Sequence, residues 1–185
     1  MIISLLKSRR FLPLFLTQFL GAFNDNVFKN AVIFLITFDL FTEDEDVAGF
    51  LVTLGALLFI LPFFIFSGIA GQLAESKEKS SLIRIIKFVE ILLMCFASLA
   101  FLTNSIILMM VMIFLISMQS SFFGPLKYSI LPSHLTETEL VAGNGLINMA
   151  SLLANLLGTI MGGVFILSPN GAGVISMILV IMACL

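Results

Sequence analysis

Phe11-Leu-Pro-Leu-Phe-Leu-Thr-Gln-Phe-Leu-Gly-Ala-Phe-Asn-Asp-Asn-Val-Phe-Lys-Asn30, running on through Ala31-Val-Ile-Phe-Leu-Ile-Thr37, decides how this chain is read. The stretch is long and apolar, yet it holds Gln18, Asn24, Asp25, Asn26, Lys29 and Asn30. An acid and a base at the middle of a bilayer cost about 2.5–3.5 kcal/mol each on insertion scales. Such groups are kept where they face a protein interior or a water-filled route. At about 100° per residue, Gln18, Gly21, Asp25 and Lys29 fall within roughly 45° of one meridian. Asn24 and Asn26 flank that meridian, and Asn30 falls toward the far side. Gln18, Asn24, Asp25 and Lys29 are the candidate substrate or ion path. Asp25 and Lys29 have the spacing of a direct ion pair. The opposite surface, with Phe19, Phe23, Val27 and Phe34, suits lipid or a packed neighbour.

Outward from this stretch, the 185 residues are 60% hydrophobic and 11% charged, where a soluble domain carries about 25% charged residues. Further apolar runs reach the ~20 residues that cross a bilayer. The chain is predicted to be an all-α, multi-pass membrane protein. A basic leader covers residues 1–10, and its apolar start is expected at the membrane interface. Spans are expected at about 11–40, 48–70, 82–102, 105–123, 139–167 and 173–185, the last too short to cross. That short sixth run predicts a piece of a longer protein. No small-x-small site follows the leader, so an uncleaved first span is expected rather than a signal peptide. Gly124-Pro125 marks an expected break or sharp kink, and Thr136-x-x-Glu139 reads as a capping box. Cys95 and Cys184 lack metal or disulfide spacing and read as small core residues. His134, in the 4–5 loop, reads as solvated. Glu90 lies beside Lys87, and a local pair near the interface is favoured over a transport role.

Lys and Arg set the orientation. Lys7, Arg9, Arg10, Lys77, Lys79, Arg84, Lys87 and Lys127 fall on one side, which is therefore cytoplasmic. Asp39 and the Glu43–Asp46 run fall on the other. Lys29 alone is not explained by topology. Spans 1 and 4 share a loose Phe-Leu…Gln…Gly pattern through Gln18 and Gln119, and spans 2 and 5 both end in glycine clusters. Two inverted three-helix units would produce that pattern.

Gly71-Gln-Leu-Ala-Glu-Ser-Lys-Glu-Lys79 resembles the loop 2–3 signature of the major facilitator superfamily: Gly71, Leu73 and Ala74 match, Glu75 and Lys79 are conservative, and Ser76 and Glu78 depart from it. Gly158-Thr-Ile-Met-Gly-Gly163 is similar to the superfamily's fifth-helix antiporter pattern through Gly158, Gly162 and Gly163, with Thr159 in place of proline. Phe15–Asn30, which includes Asn26 and Asn30, resembles the first helix of the bacterial lysophospholipid transporters. Phe123–Pro132, with Gly124, Pro125 and Lys127 following Gln119, resembles their 4–5 region. The same module occurs fused to an acyltransferase and an acyl-acyl-carrier-protein synthetase.

The resemblance implies the N-terminal six-helix bundle of a twelve-helix major facilitator fold, truncated in its sixth helix. It implies alternating-access movement of lysophosphatidylethanolamine-like lipid across the bacterial inner membrane toward cytoplasmic re-acylation. Implied partners are the lysophospholipid, membrane lipid, a coupling cation (H+ or Na+) and an acyltransferase partner or fusion. Span 1 offers Gln18, Asn24, Asp25 and Lys29 to the head group and Phe19, Phe23 and Phe28 to the tail. An ion-coupled antiporter or permease for a small soluble compound is the alternative. A membrane anchor without transport has little use for the Asp25/Lys29 face. No nucleophile–His–acid set, metal-ligand spacing or phosphate loop is present, so no enzyme activity, cofactor, metal or nucleic-acid partner is expected.

Overall fold

The computed structural model describes residues 5–185. Six helices carry almost all of it: α1 (Leu12–Leu35), α2 (Glu45–Ser76), α3 (Lys79–Leu102), α4 (Ile106–His134), α5 (Glu137–Ile166) and α6 (Gly171–Cys184). A π-helical turn at Ile36–Leu40 closes α1. Residues 1–4 of the leader lie outside the described residues. Leu5 and Phe11 are buried against Leu131, Leu135 and Ile147, so this part of the leader packs on the α4–α5 junction.

Local chemistry fixes the helix ends. Pro13 sits in the first turn of α1, where a missing N–H costs little. The Asp44 carboxylate accepts the Val47 N–H at 3.2 Å and starts α2. Glu78 accepts from the Ser80 and Ser81 N–H groups at 3.0 and 2.6 Å and starts α3. At the head of α5 the Glu139 carboxylate accepts the Thr136 N–H at 3.1 Å. Asn104 (φ 48°) and Asn170 (φ 64°) take the left-handed conformation in the turns after α3 and α5, which asparagine tolerates better than most residues.

The loop expected over residues 71–84 shrinks to Lys77-Glu78, because α2 runs on to Ser76 and the Glu78 cap starts α3 at once. Gly124-Pro125 does not break α4, which continues to His134. Proline lacks only its own N–H bond, and the flanking helix holds the segment. His134 is therefore the last residue of a helix rather than part of a loop. Cys95 and Cys184 are both exposed on the outer surface, not in the core.

α2, α3, α4 and α5 are long and apolar enough to cross a membrane. Their outer faces present large apolar side chains such as Phe64, Ile107, Val141 and Leu152, each at least 70% exposed. In water such a surface would be prohibitive; in lipid it is the expected exterior. The chain is an all-α, multi-pass membrane protein. α1 is not among the four, since its polar set lowers its hydropathy, and it is instead enclosed by the others.

The packing follows a rule. α1 lies chiefly on α5, α2 on α4, and α3 on α6, with α3–α4 and α1–α6 as the next closest pairs. Exchanging α1–α3 for α4–α6 maps this whole set onto itself. Two inverted three-helix units, the arrangement suggested by the Gln18 and Gln119 patterns, would produce this exchange of contacts.

Candidate functional site

The α1–α5 seam is the tightest in the fold. A Cβ on Gly158 would lie 2.7 Å from the Phe23 carbonyl oxygen, and one on Gly162 would lie 2.5 Å from that of Val27. Gly163 gives room to the Phe34 ring. Glycines here let two backbones approach as no other residue allows. Two side-chain bonds lock the seam: Gln18 Nε2 donates to Ser151 Oγ at 2.8 Å, and Asn30 Nδ2 to Thr159 Oγ1 at 3.0 Å. Drawn against α5, α1 touches α4 only lightly.

A polar cavity of about 280 Å³ occupies the space this leaves among α1, α2, α3, α4 and α5. From α1 it receives Gln18, Gly21, Asp25 and Lys29, the meridian expected from helical spacing, together with the flanking Asn26. Asp25 is 8% exposed, and one of its carboxylate oxygens accepts from Ser120 Oγ of α4. Its other oxygen, Oδ1, is buried with no partner. Lys29 does not pair with Asp25. Its ammonium lies 4.4 Å from the centroid of the Phe59 ring of α2, a cation–π contact. Among the described residues the only ion pairs are Arg10–Glu139 and Lys87–Glu90.

The second charged cluster comes from α3. Lys87 Nζ lies 2.7 Å from Glu90 Oε2, and Gln119 Nε2 of α4 donates to the same oxygen at 3.2 Å. The local pair expected from sequence exists, but Glu90 is only 4% exposed and lines the same cavity as Asp25. The Lys87 ammonium lies over Gly21, where a Cβ would come within 2.8 Å of it. Sequence spacing showed that Lys87 and Glu90 meet; it did not show that α3 turns them inward. The signal available was an acid set inside an apolar run, Val89-Glu90-Ile91 leading on to Leu92 and Leu93.

Other expected residues fall elsewhere. Asn24 is fully buried and donates to the Leu179 carbonyl of α6 at 2.9 Å, away from the cavity. Asn26 lines the cavity edge while bonding its own helix at Ala22, and Asn30 points into the α5 seam. Phe23 and Phe28 are core residues, and Phe28 packs edge-on to Phe101 at 5.4 Å. Phe19 packs against the same core. The aromatic wall of the cavity is instead Phe59, Phe63 and Phe123, because the phenylalanine faces of α1 turn toward its helical neighbours.

In the 4–5 region, Gln119, Gly124 and Lys127 line the cavity and Pro125 does not. In the 2–3 motif, Ala74 is buried with Ile86, Phe123 and Leu126, and Lys79 Nζ donates to the Ser129 carbonyl at 2.7 Å. Gly71 has open space around it, Leu73 is half-buried, and Glu75 is exposed and holds no ion pair among the described residues. Outside the spans, Glu78 has its acidity strengthened by the two backbone N–H groups that it caps.

Among known proteins, the chain is similar to the "Lysophospholipid transporter LplT" of Shigella flexneri, 31% identical over 150 residues, 80% of this chain and 34% of that one. The protein of the same name from Serratia proteamaculans is 27% identical over 162 residues, 86% of this chain and 37% of that one. That of Escherichia coli strain SE11 is 31% identical over 150 residues. The chain thus spans about a third of the length of the curated relatives it matches. The resemblance read from the sequence is borne out as homology over most of this chain. No family profile matches the chain, and no solved structure does.

Proposed function

We propose that this chain forms one half of a path by which lysophospholipid crosses the bacterial inner membrane toward the cytoplasmic leaflet, where it is re-acylated. The protein works by alternating access, with its N-terminus cytoplasmic, as one six-helix half of a major facilitator. The observation that carries this reading is the composition of the central cavity. Charged groups of both signs, Asp25, Lys29, Lys87 and Glu90, face an aromatic wall of Phe59, Phe63 and Phe123 inside a lipid-facing bundle. A zwitterionic head with one acyl tail needs that combination. Lys29, held only by a ring face, is available to phosphate. Asp25, with one oxygen unpartnered, is available to the head-group amine or to a coupling cation, H+ or Na+.

The relatives' printed name supports the lipid substrate. The reading as an antiporter for a small soluble compound leaned on Gly158–Gly163, and those glycines serve the α1–α5 seam instead of the cavity. An acyltransferase, as partner or fusion, would consume the delivered lipid. Uptake of fluorescent lysophosphatidylethanolamine by spheroplasts lacking their own transporter is the test. Asp25→Ala should reduce uptake to background; normal uptake would remove Asp25 from the path and this reading with it.

A further inference from the structure

A second cavity, of about 320 Å³, opens at the basic end of the bundle, between the ends of α1, α3 and α4. Arg9, Arg10 and Arg84 converge on it, over a floor that includes Leu14, Ile83 and Ile130. Arg10 is already engaged: it bonds the Glu139 carboxylate at 2.8 Å and the His134 carbonyl at 3.2 Å. Arg9 and Arg84 hold no ion pair among the described residues. Glu78, just ahead of Arg84 in the chain, is committed to the first N–H groups of α3. Lys77 and Lys79 line the adjoining recess and keep the rim basic.

Topology alone requires basic residues on one side of the membrane, but not two unpaired guanidiniums over one apolar floor. Moreover, Thr17 lines both this cleft and the central polar cavity, so the two abut on α1. Guanidinium forks match phosphate oxygens in geometry and charge. An apolar floor beneath them suits the start of a hydrocarbon tail.

We propose that Arg9 and Arg84 form a phosphate-binding station at the mouth of the central cavity, where they take the phosphodiester of a single-chain lipid as it passes between path and leaflet. The proposal rests on the lysophospholipid reading and adds a site to it. Arg10 is a positioning residue, held by Glu139 so that it braces the leader against α4 and α5.

The test uses full-length transporter in detergent and a lysophosphatidylethanolamine carrying a diazirine in its acyl chain, with crosslinks mapped by peptide mass spectrometry. Wild-type protein should be labelled at two places, the rim near Ile83–Arg84 and the wall near Phe59–Phe63. Arg9→Gln/Arg84→Gln should lower rim labelling about tenfold, the loss expected from removing charge-assisted contacts to phosphate, and leave wall labelling unchanged. Lys7→Gln, an exposed charge on the same leader, should change neither. Unlabelled lysophosphatidylethanolamine should compete at the rim, and monoacylglycerol of the same chain length should not. Equal competition by monoacylglycerol, or unchanged rim labelling in the double variant, overturns the station. Stronger competition by diacyl phosphatidylethanolamine also overturns it, in favour of a resident membrane lipid. If the wild type takes up lysolipid while the station fails these arms, the transport reading survives. If the wild type takes up none, both readings fall.

Discussion

Gly162→Ala adds one methyl at the point where α1 and α5 are closest. Its Cβ would lie 2.5 Å from the Val27 oxygen and 3.1 Å from the Ala31 nitrogen, against an ordinary contact of 3.4 Å or more. Both neighbours are backbone, so no rotamer change relieves the clash and the helices must part by nearly 1 Å at that level. Overpacking of this kind costs about 1–3 kcal/mol, and replacing a helical glycine returns about 0.5–1 kcal/mol of backbone entropy. A rigid, two-sided clash belongs in the upper half of that range, which leaves a net loss of about 2 kcal/mol, or about thirtyfold in the folding equilibrium. Gly145→Ala and Gly68→Ala are the controls, since nothing lies within 4 Å of a Cβ at either site. They should be neutral or gain up to about 1 kcal/mol. Equilibrium unfolding in mixed detergent and SDS, followed by circular dichroism, ranks the three variants. The reasoning fails if Gly162→Ala is as stable as Gly145→Ala. A further consequence separates packing from function: parting the seam loosens the Asn30–Thr159 and Gln18–Ser151 bonds. Lysolipid uptake by Gly162→Ala should therefore fall even at temperatures where the variant is fully folded.

Lys87→Met leaves the buried Glu90 carboxylate without its cation and should destabilise the bundle by a few kcal/mol, whereas Lys87→Met/Glu90→Leu should recover most of that loss; SDS titration of both variants checks the order. Phe59→Leu removes the ring under Lys29 while keeping an apolar wall, and should cost about 0.5–2 kcal/mol of cation–π interaction, read by the same titration. The Glu78 cap has a pH signature. Its folded value lies below the ordinary 4.5, so its stabilisation is fully present above pH 4.5 and is lost as pH falls through that lowered value. Hydrogen exchange at the first amides of α3, corrected for intrinsic rate, should accelerate on acidification in the wild type and show no such transition in Glu78→Gln.

The all-α membrane class was legible because hydropathy is a one-dimensional signal, and four of the expected apolar runs are helices long and apolar enough to cross a membrane. The Gln18–Gly21–Asp25–Lys29 meridian was legible because helical spacing is fixed by geometry. Contacts between helices were not. Asn24 lies next to Asp25 in sequence, but 100° of rotation sends it to Leu179 of α6. Phe23 and Phe28 have the chemistry of a lipid-tail wall, yet they face the core, and the wall is supplied by Phe59 and Phe63 from a helix with few polar marks. Glu90 shows the same limit from the other side: i,i+3 spacing accounts for its partner completely, and so conceals that α3 aims the pair at α1.

The cavity and the glycine seam have a common cause. α1 cannot pack closely against α4 and α5 at once. Gly158 and Gly162 commit it to α5, and that approach is bought by the absence of side chains on the partner face. α4 packs chiefly on α2, through side chains rather than a glycine seat, so both inner helices are drawn outward, away from each other. What lies between them is space on the axis relating the two units, and only polar groups with water or ligand as partners are stable there. Asp25 meets Ser120 across that axis, and Gln119 reaches Glu90 from the same turn of α4. The unpartnered Asp25 oxygen follows from this geometry rather than from a packing defect, because closing the gap to satisfy it would require α1 to leave its glycine seat. A variant that fills the gap from the α4 side, Ser120→Leu, should therefore block uptake while leaving the α1–α5 seam intact, at no more than the about 1–3 kcal/mol that one lost hydrogen bond to a buried carboxylate costs. A large loss of stability instead would mean that the Ser120–Asp25 bond holds the bundle together, and that the space beside it is not a route.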